Sequence, residues 1–236
     1  DALSRRTVQT SDETRHYYYS SQWQVLEERV TDHPDTSSAE RQFIWGLRYL
    51  DDLLQRDRDT DDNDELDERL FALQDANWNV VALINPSGVA EERYQYTPFG
   101  TPIILTGSMS AVRSSSAFGM EVLFTGQRFE ELTKLHLFRM RWFDSLTGRF
   151  INRDPLGYPD GMNAYAGWFV PGGADTFGLE SYLLGPVING VQYPGHLPGS
   201  RRPVDKLPPP YRAYRRVPKY NPDDAKTLAS FSMSEL

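Results

Sequence analysis

The sequence predicts an all-β protein, and three observations carry the prediction. Aromatic and β-branched residues recur at period two over much of the chain, as they do when side chains alternate across a strand. Turn-forming residues separate these runs, Asn85-Pro86-Ser87-Gly88 being the clearest set. The most strongly patterned stretch runs from Phe124 to Leu179, with Thr-Gly turns, an aromatic alternation and two Asp-containing elements closing it.

With 236 residues, 39% hydrophobic and 13% aromatic content, the chain can bury a sizeable core. A net charge of −8 argues against general nucleic-acid binding, which draws on a basic footprint that displaces counterions from phosphates. Zero cysteines exclude a disulfide framework, a thiol nucleophile and thiolate-bound zinc. No apolar run reaches the roughly 18 residues of a membrane span, and DALSRRTVQTSDE lacks the basic-then-apolar pattern of a signal peptide. The chain begins at Asp rather than Met, which reads as a piece of something longer whose export signal lies elsewhere.

Residues 1–56 read as β strands. Tyr17 and Tyr19 alternate with His16 and Tyr18, and after a Ser20-Ser21 turn Trp23, Val25 and Glu27 resume the period. In ERQFIWGLRYLDDLL, Phe43, Leu47, Leu50 and Leu54 fit a helical stripe, whereas Phe43, Trp45, Leu47 and Tyr49 fit one face of a strand. Gly46 in mid-segment favours the strand. Residues 57–68 form an acidic, solvent-facing loop in which Asp57, Asp59, Asp61 and Glu68 occupy positions 1, 3, 5 and 12 of a calcium-loop pattern. Alternate oxygens at that spacing can converge on one Ca2+ ion, the only cofactor the sequence suggests. Position 6 is Asp62, where the sharp turn wants Gly, so a solvated hairpin tip is the other reading.

Residues 69–179 open with a hairpin whose turn places Asn85 at i, Pro86 at i+1 and Gly88 at i+3, each where its backbone preference is used. Residues 106–117 form a small-residue loop. LHLFRMRWFD then reads as one strand with Leu135, Leu137, Arg139, Arg141 and Phe143 on one face and His136, Phe138, Met140 and Trp142 on the other. Apolar residues on both faces predict cover on both. Residues 180–236 change character: Pro and Gly are frequent, and Arg201, Arg202, Lys206, Arg212, Arg215, Arg216 and Lys219 face only Asp205. This predicts an extended basic tail, with a short C-terminal helix starting at Asn221-Pro222.

FTGQRFEELTKLHLFRMRWFDSLTGRFINRDPLG resembles the core-domain signature of Rhs (rearrangement hot spot) and YD-repeat proteins, in which FTGQ, an aromatic strand pair, a D-x-x-T-G-R-F turn and a D-P-x-G element follow in this order. NVVALINPSGVAEERYQYTPFG is similar to the repeat unit preceding it in that family. The resemblance implies a strip of β-hairpins that spirals into a hollow shell, with the core domain at one end. It implies bacterial, secreted or cell-surface localisation, and the rest of the shell as partner. In the polymorphic toxins of the family the shell encloses a C-terminal toxin, freed when core-domain aspartates cut the chain; the other class is a non-toxic scaffold for surface adhesion, receptor or carbohydrate binding.

Carried over by residue, the resemblance places the catalytic groups in Arg153-Asp154-Pro155-Leu156-Gly157 and Asp175-Thr176-Phe177-Gly178-Leu179, and the cut between Leu179 and Glu180. Thr176 stands where the pattern has Pro. An aspartyl-type cut needs two carboxylates close enough to share a proton, for which Asp154 is the first candidate, Asp175 or Asp160 the second, and Arg153 the group biasing the ionised member. Otherwise both aspartates are turn residues capping backbone amides. His16, His33, His136 and His196 show no metal spacing, and no Ser has a His and Asp placed for a triad.

Overall fold

The computed structural model describes residues 1, 5–11, 13–30, 38–157, 162–167 and 173–179, with the backbone of 182–188 and 191–194. All of these fall within one unit, Asp1–Ser200. The expected tail helix, Asp160 and Glu180 lie outside the described residues.

Period-two patterning yields strands over most of the runs read from the sequence. β1 Val8–Thr10, β2 Thr14–Tyr19, β3 Val25–Val30, β4 Arg41–Trp45, β5 Leu53–Arg58, β6 Glu68–Gln74, β7 Val80–Ile84, β8 Ala90–Tyr96, β9 Pro102–Thr106 and β10 Val112–Arg113 form one ten-stranded sheet in chain order. Neighbours in it pair antiparallel. After a 3-10 turn at Phe124–Gly126, β11 Arg128–Glu130, β12 Leu135–Phe138, β13 Arg141–Asp144 and β14 Arg149–Phe150 form a four-stranded sheet. β15 Gly173–Ala174, β16 Tyr182–Ile188 and β17 Val191–Pro194 form a third. No α-helix occurs among the described residues.

The 85–88 turn forms as its residues dictate. Gly88 N donates to Asn85 O at 2.9 Å, the Asn85 side-chain oxygen accepts from Ser87 N at 2.9 Å and Val89 N at 3.0 Å, and Gly88 sits at φ 81°. Alternation places Tyr17, Val25, Phe43, Leu53, Leu70, Val80, Tyr94 and Ile104 on one face, where Met120, Val122, Leu123 and Phe129 complete a core. A second cluster joins Phe124, Phe138, Phe143 and Phe150. The rings of Phe138 and Phe150 meet edge-on at 5.5 Å, a geometry that contributes about 0.5–1.5 kcal/mol beyond area burial.

Four expectations change. The segment 43–56 is two strands, because the chain reverses between Trp45 and Leu53 with Gly46 N donating to Asp52 O at 2.7 Å; Leu47, read as part of the inward face, is fully exposed. LHLFRMRWFD is likewise a hairpin, with Phe138 paired to Arg141 and Arg139 at φ 46° in the connection. The two residues spent in the turn shift the phase, so that His136, Phe138, Arg141 and Phe143 are the buried set. The 106–117 segment, expected as a loop, contains β10, in which Val112 pairs with Leu105 and Arg113 with Ile104. Residues 182–188 and 191–194, expected in the extended tail, are strands; a register irregularity between Leu184 and Val187 takes up the intervening Gly-Pro.

Candidate functional site

The two Asp-containing elements meet on β13. Arg141 points inward from that strand, its guanidinium 3.7 Å from the centroid of the Phe150 ring. Its Nη2 stands 3.2 Å from Asp154 Oδ2 and 3.2 Å from Asp175 Oδ2. The three are buried, at 2%, 5% and 1% exposure respectively. Arg141 also donates from Nε to Gly178 O and, at 3.3 Å, from Nη1 to Ala164 O. One guanidinium thus ties two carboxylates and two backbone carbonyls, using the fixed fork that suits arginine to buried ion pairs.

Each aspartate reaches Arg141 with one oxygen and shapes its own turn with the other. Asp154 Oδ1 accepts from Leu156 N at 2.7 Å, while Asp154 N donates to Ala164 O at 2.9 Å. Asp175 Oδ1 accepts from Leu179 N at 2.9 Å. Short polar side chains bond to nearby backbone in this way wherever a turn begins. The 175–179 turn lies directly on the β12–β13 hairpin: Met140 N donates to Phe177 O at 3.1 Å. Gly178 has φ +66°, and a Cβ there would come 2.6 Å from Phe138 O, so only glycine fits.

A second buried group adjoins the first. Arg139 pairs through Nη2 with Asp51 Oδ1 at 2.5 Å, and Asp51 Oδ2 accepts from Gln127 Nε2 at 2.8 Å. Burial pushes the Asp51 carboxyl up, against the opposing pull of Arg139 and Gln127. Arg139 Nη1 donates to Thr176 O, and Tyr49 OH bonds the Thr176 hydroxyl.

Of the residues expected from sequence, Asp154, Asp175 and Leu179 are therefore brought together. Arg153 is exposed on the Asp154 turn, and the cation bridging the carboxylates is Arg141. Arg141, Arg139, Asp51 and Tyr49 escaped the sequence reading; the available signal was two arginines inside an otherwise aromatic strand, where a lone charge would be expensive to bury.

The 57–68 loop does not gather its carboxylates. Asp57 accepts from Arg69 Nη2 at 2.8 Å, and Glu68 pairs with Arg56 and, at 3.2 Å, with Arg58. Asp59 caps the turn, accepting from Asp62 N and Asp64 N at 2.8 Å each; Asp57 and Asp59 are buried, against the expectation of a solvent-facing run. No metal-ligating group of three or more His, Asp or Glu occurs among the described residues. The ten-stranded sheet also continues through this loop, β5 pairing with β6 across it.

No protein-family model matches the chain. Over 107 residues it is 35% identical to double-stranded DNA deaminase toxin A of Burkholderia cenocepacia, a match covering 43% of this chain and 7% of that protein. Over 64 residues it is 36% identical to the putative uncharacterized protein YibJ of Escherichia coli, covering 27% of this chain and 21% of that one. The chain thus spans 7% and 21% of the two relatives' lengths. Among solved structures, TcdB2-TccC3-Cdc42 aligns with a TM-score of 0.48 at 17% identity, covering 69% of this chain and 8% of that one. A Photorhabdus luminescens Tc holotoxin pore aligns with a TM-score of 0.44 at 13% identity, covering 65% and 8%.

Proposed function

We propose that this chain is the closing end of a secreted Rhs/YD-repeat shell of the toxin type, and that Asp154 and Asp175 cut it after Leu179. The observation that carries the reading is the meeting of both carboxylates on one Arg141 nitrogen, with Leu179 N held by Asp175 itself. The similarity to a deaminase toxin favours the toxin class over a surface or adhesion scaffold. The partners are then the remainder of the shell and the toxin it encloses.

In the proposed cut, a water oxygen adds to the Leu179 carbonyl carbon while one carboxylate takes the water proton. The C–N bond to Glu180 then breaks as the carboxyl that took the water proton passes it to the leaving nitrogen, giving a new carboxyl and a new amine and returning the carboxylate. Arg141 keeps the two carboxylates near one another, each Oδ2 standing 3.2 Å from its Nη2, which supports their acting as a pair. The demand is small: one turnover in about an hour needs a barrier of roughly 22 kcal/mol. Intact mass measured on freshly purified and on incubated protein tests the reading. Fragments parted after Leu179 are expected, and Asp154→Asn is expected to abolish them. Persistence of the whole chain, or cleavage undiminished in Asp154→Asn, would remove the enzymatic role and leave both aspartates as turn-shaping residues.

A further inference from the structure

We propose that Tyr49 and Arg139 are positioning residues, a clamp on Thr176 that sets Asp175 and Leu179 in register with Arg141. This rests on the cut proposed above and names what aligns it. Thr176 enters the turn with a backbone freer than proline would allow, yet it is buried at 4% exposure and held at two points. Its hydroxyl bonds Tyr49 OH and its carbonyl accepts from Arg139 Nη1. The first bond selects a side-chain rotamer, and the second restricts rotation about the bond leading to Phe177. Together they replace a ring's constraint with two tethers.

Both tethers are themselves fixed. The Tyr49 ring stacks on Trp78 with centroids 4.8 Å apart and planes 17° off parallel. Arg139 holds φ 46°, a conformation that costs a non-glycine residue free energy and persists only where neighbours enforce it. Asp51 enforces it here through the 2.5 Å ion pair. Arg139 also lies over the Phe177 ring at 5.2 Å, and Phe177 meets Trp23 edge-on at 6.2 Å. The turn carrying Asp175 is thereby gripped by Arg139 of the β12–β13 connection and by residues of the β2–β3 and β4–β5 connections, so that its register depends on how the two sheets' loops pack.

The test combines two readouts on the full chain with Tyr49→Phe, Thr176→Val, their double variant and Thr176→Ser. Amide hydrogen exchange of residues 175–179 reads the clamp whether or not the chain cuts, and intact mass against time reads the cut. Tyr49→Phe and Thr176→Val are each expected to speed exchange and slow cleavage roughly tenfold, the equivalent of about 1.4 kcal/mol. The double variant should be no worse than either single, because both remove one bond, and Thr176→Ser should keep wild-type behaviour. Additive losses, or unchanged exchange in both single variants, would overturn the clamp. A wild-type chain that stays whole would sink the cut after Leu179 and leave the exchange measurement to decide the clamp.

Discussion

Glu28 in the ten-stranded sheet and Arg141 in the four-stranded sheet are both buried charges with several opposite partners, but the majority sign is reversed. Glu28 stands among Arg128, Arg15 and Arg41, at 2.5, 3.1 and 3.5 Å. Burial alone would raise its carboxyl; Arg128, Arg41 and Arg15 outweigh that and hold it at about 2. A carboxylate so surrounded stays ionised at any ordinary pH and serves as a pin between strands. At Arg141 one guanidinium is shared by two carboxylates, and a pair of carboxylates is what an aspartyl-type cut requires.

Arg141→Ala should break this difference most severely. It removes the cation from two buried carboxylates and two bonded carbonyls, and breaking a buried pair in this way costs about 3–5 kcal/mol. Urea denaturation should show the loss as a lowered midpoint, with cleavage abolished. An Arg141→Ala chain as stable as wild type would mean the trio is dispensable to the fold.

Acid should separate the regions next. His136 is fully buried against Phe129 and Phe124, with Nε2 3.0 Å from Gly100 O and Nδ1 without a hydrogen-bond partner among the described residues. Burial lowers its pKa from 6.5 to about 4. The unfolded chain therefore takes up a proton before the folded one does, so stability is complete above pH 6.5 and falls as pH drops toward 4. The loss is about 3 kcal/mol. Glu28, lowered from 4.5 to about 2, adds a second loss that begins only below 4.5. Unfolding measured from pH 8 to 3 should show the first loss disappear in His136→Gln while the second remains. A His136→Gln profile matching wild type between 6.5 and 4.5 would put the acid sensitivity elsewhere.

How much was legible follows the same division. The ten-stranded sheet was readable because strand alternation and turn residues are local: Tyr17 alternates inward beside exposed Tyr18, and Asn85 to Gly88 carry their turn within four positions. At the site, Asp154, Asp175 and Leu179 were legible because short motifs mark them. Arg141 was not, because its facing depends on the Arg139-Met140 turn, and no Gly or Asn announces that turn. Arg139 adopts φ 46° where Asp51 and Thr176 hold it, and such support is visible only after distant segments pack. Leu47 failed for a related reason: its spacing fits a strand face, but the chain had already turned back at Gly46.

The smallest effect belongs to the most local feature. Gly88 sits at φ +81° with nothing within 4 Å of where a Cβ would stand, so Gly88→Ala meets no clash and its whole cost is backbone strain. For an L residue held in that region the cost is about 1–2 kcal/mol, partly offset because alanine leaves the unfolded chain fewer conformations than glycine does. A net loss of about 1 kcal/mol is expected. Because the turn is distant in sequence from Arg141 and shares no hydrogen bond with it, the losses in Gly88→Ala and Arg141→Ala should add in the double variant to within roughly 0.5 kcal/mol. The cleavage rate of Gly88→Ala should equal that of wild type. Strong coupling between the two substitutions would show that the 85–88 hairpin and the Asp154–Asp175 site form one cooperative unit, and the contrast between a locally specified sheet and a convergent site would fail.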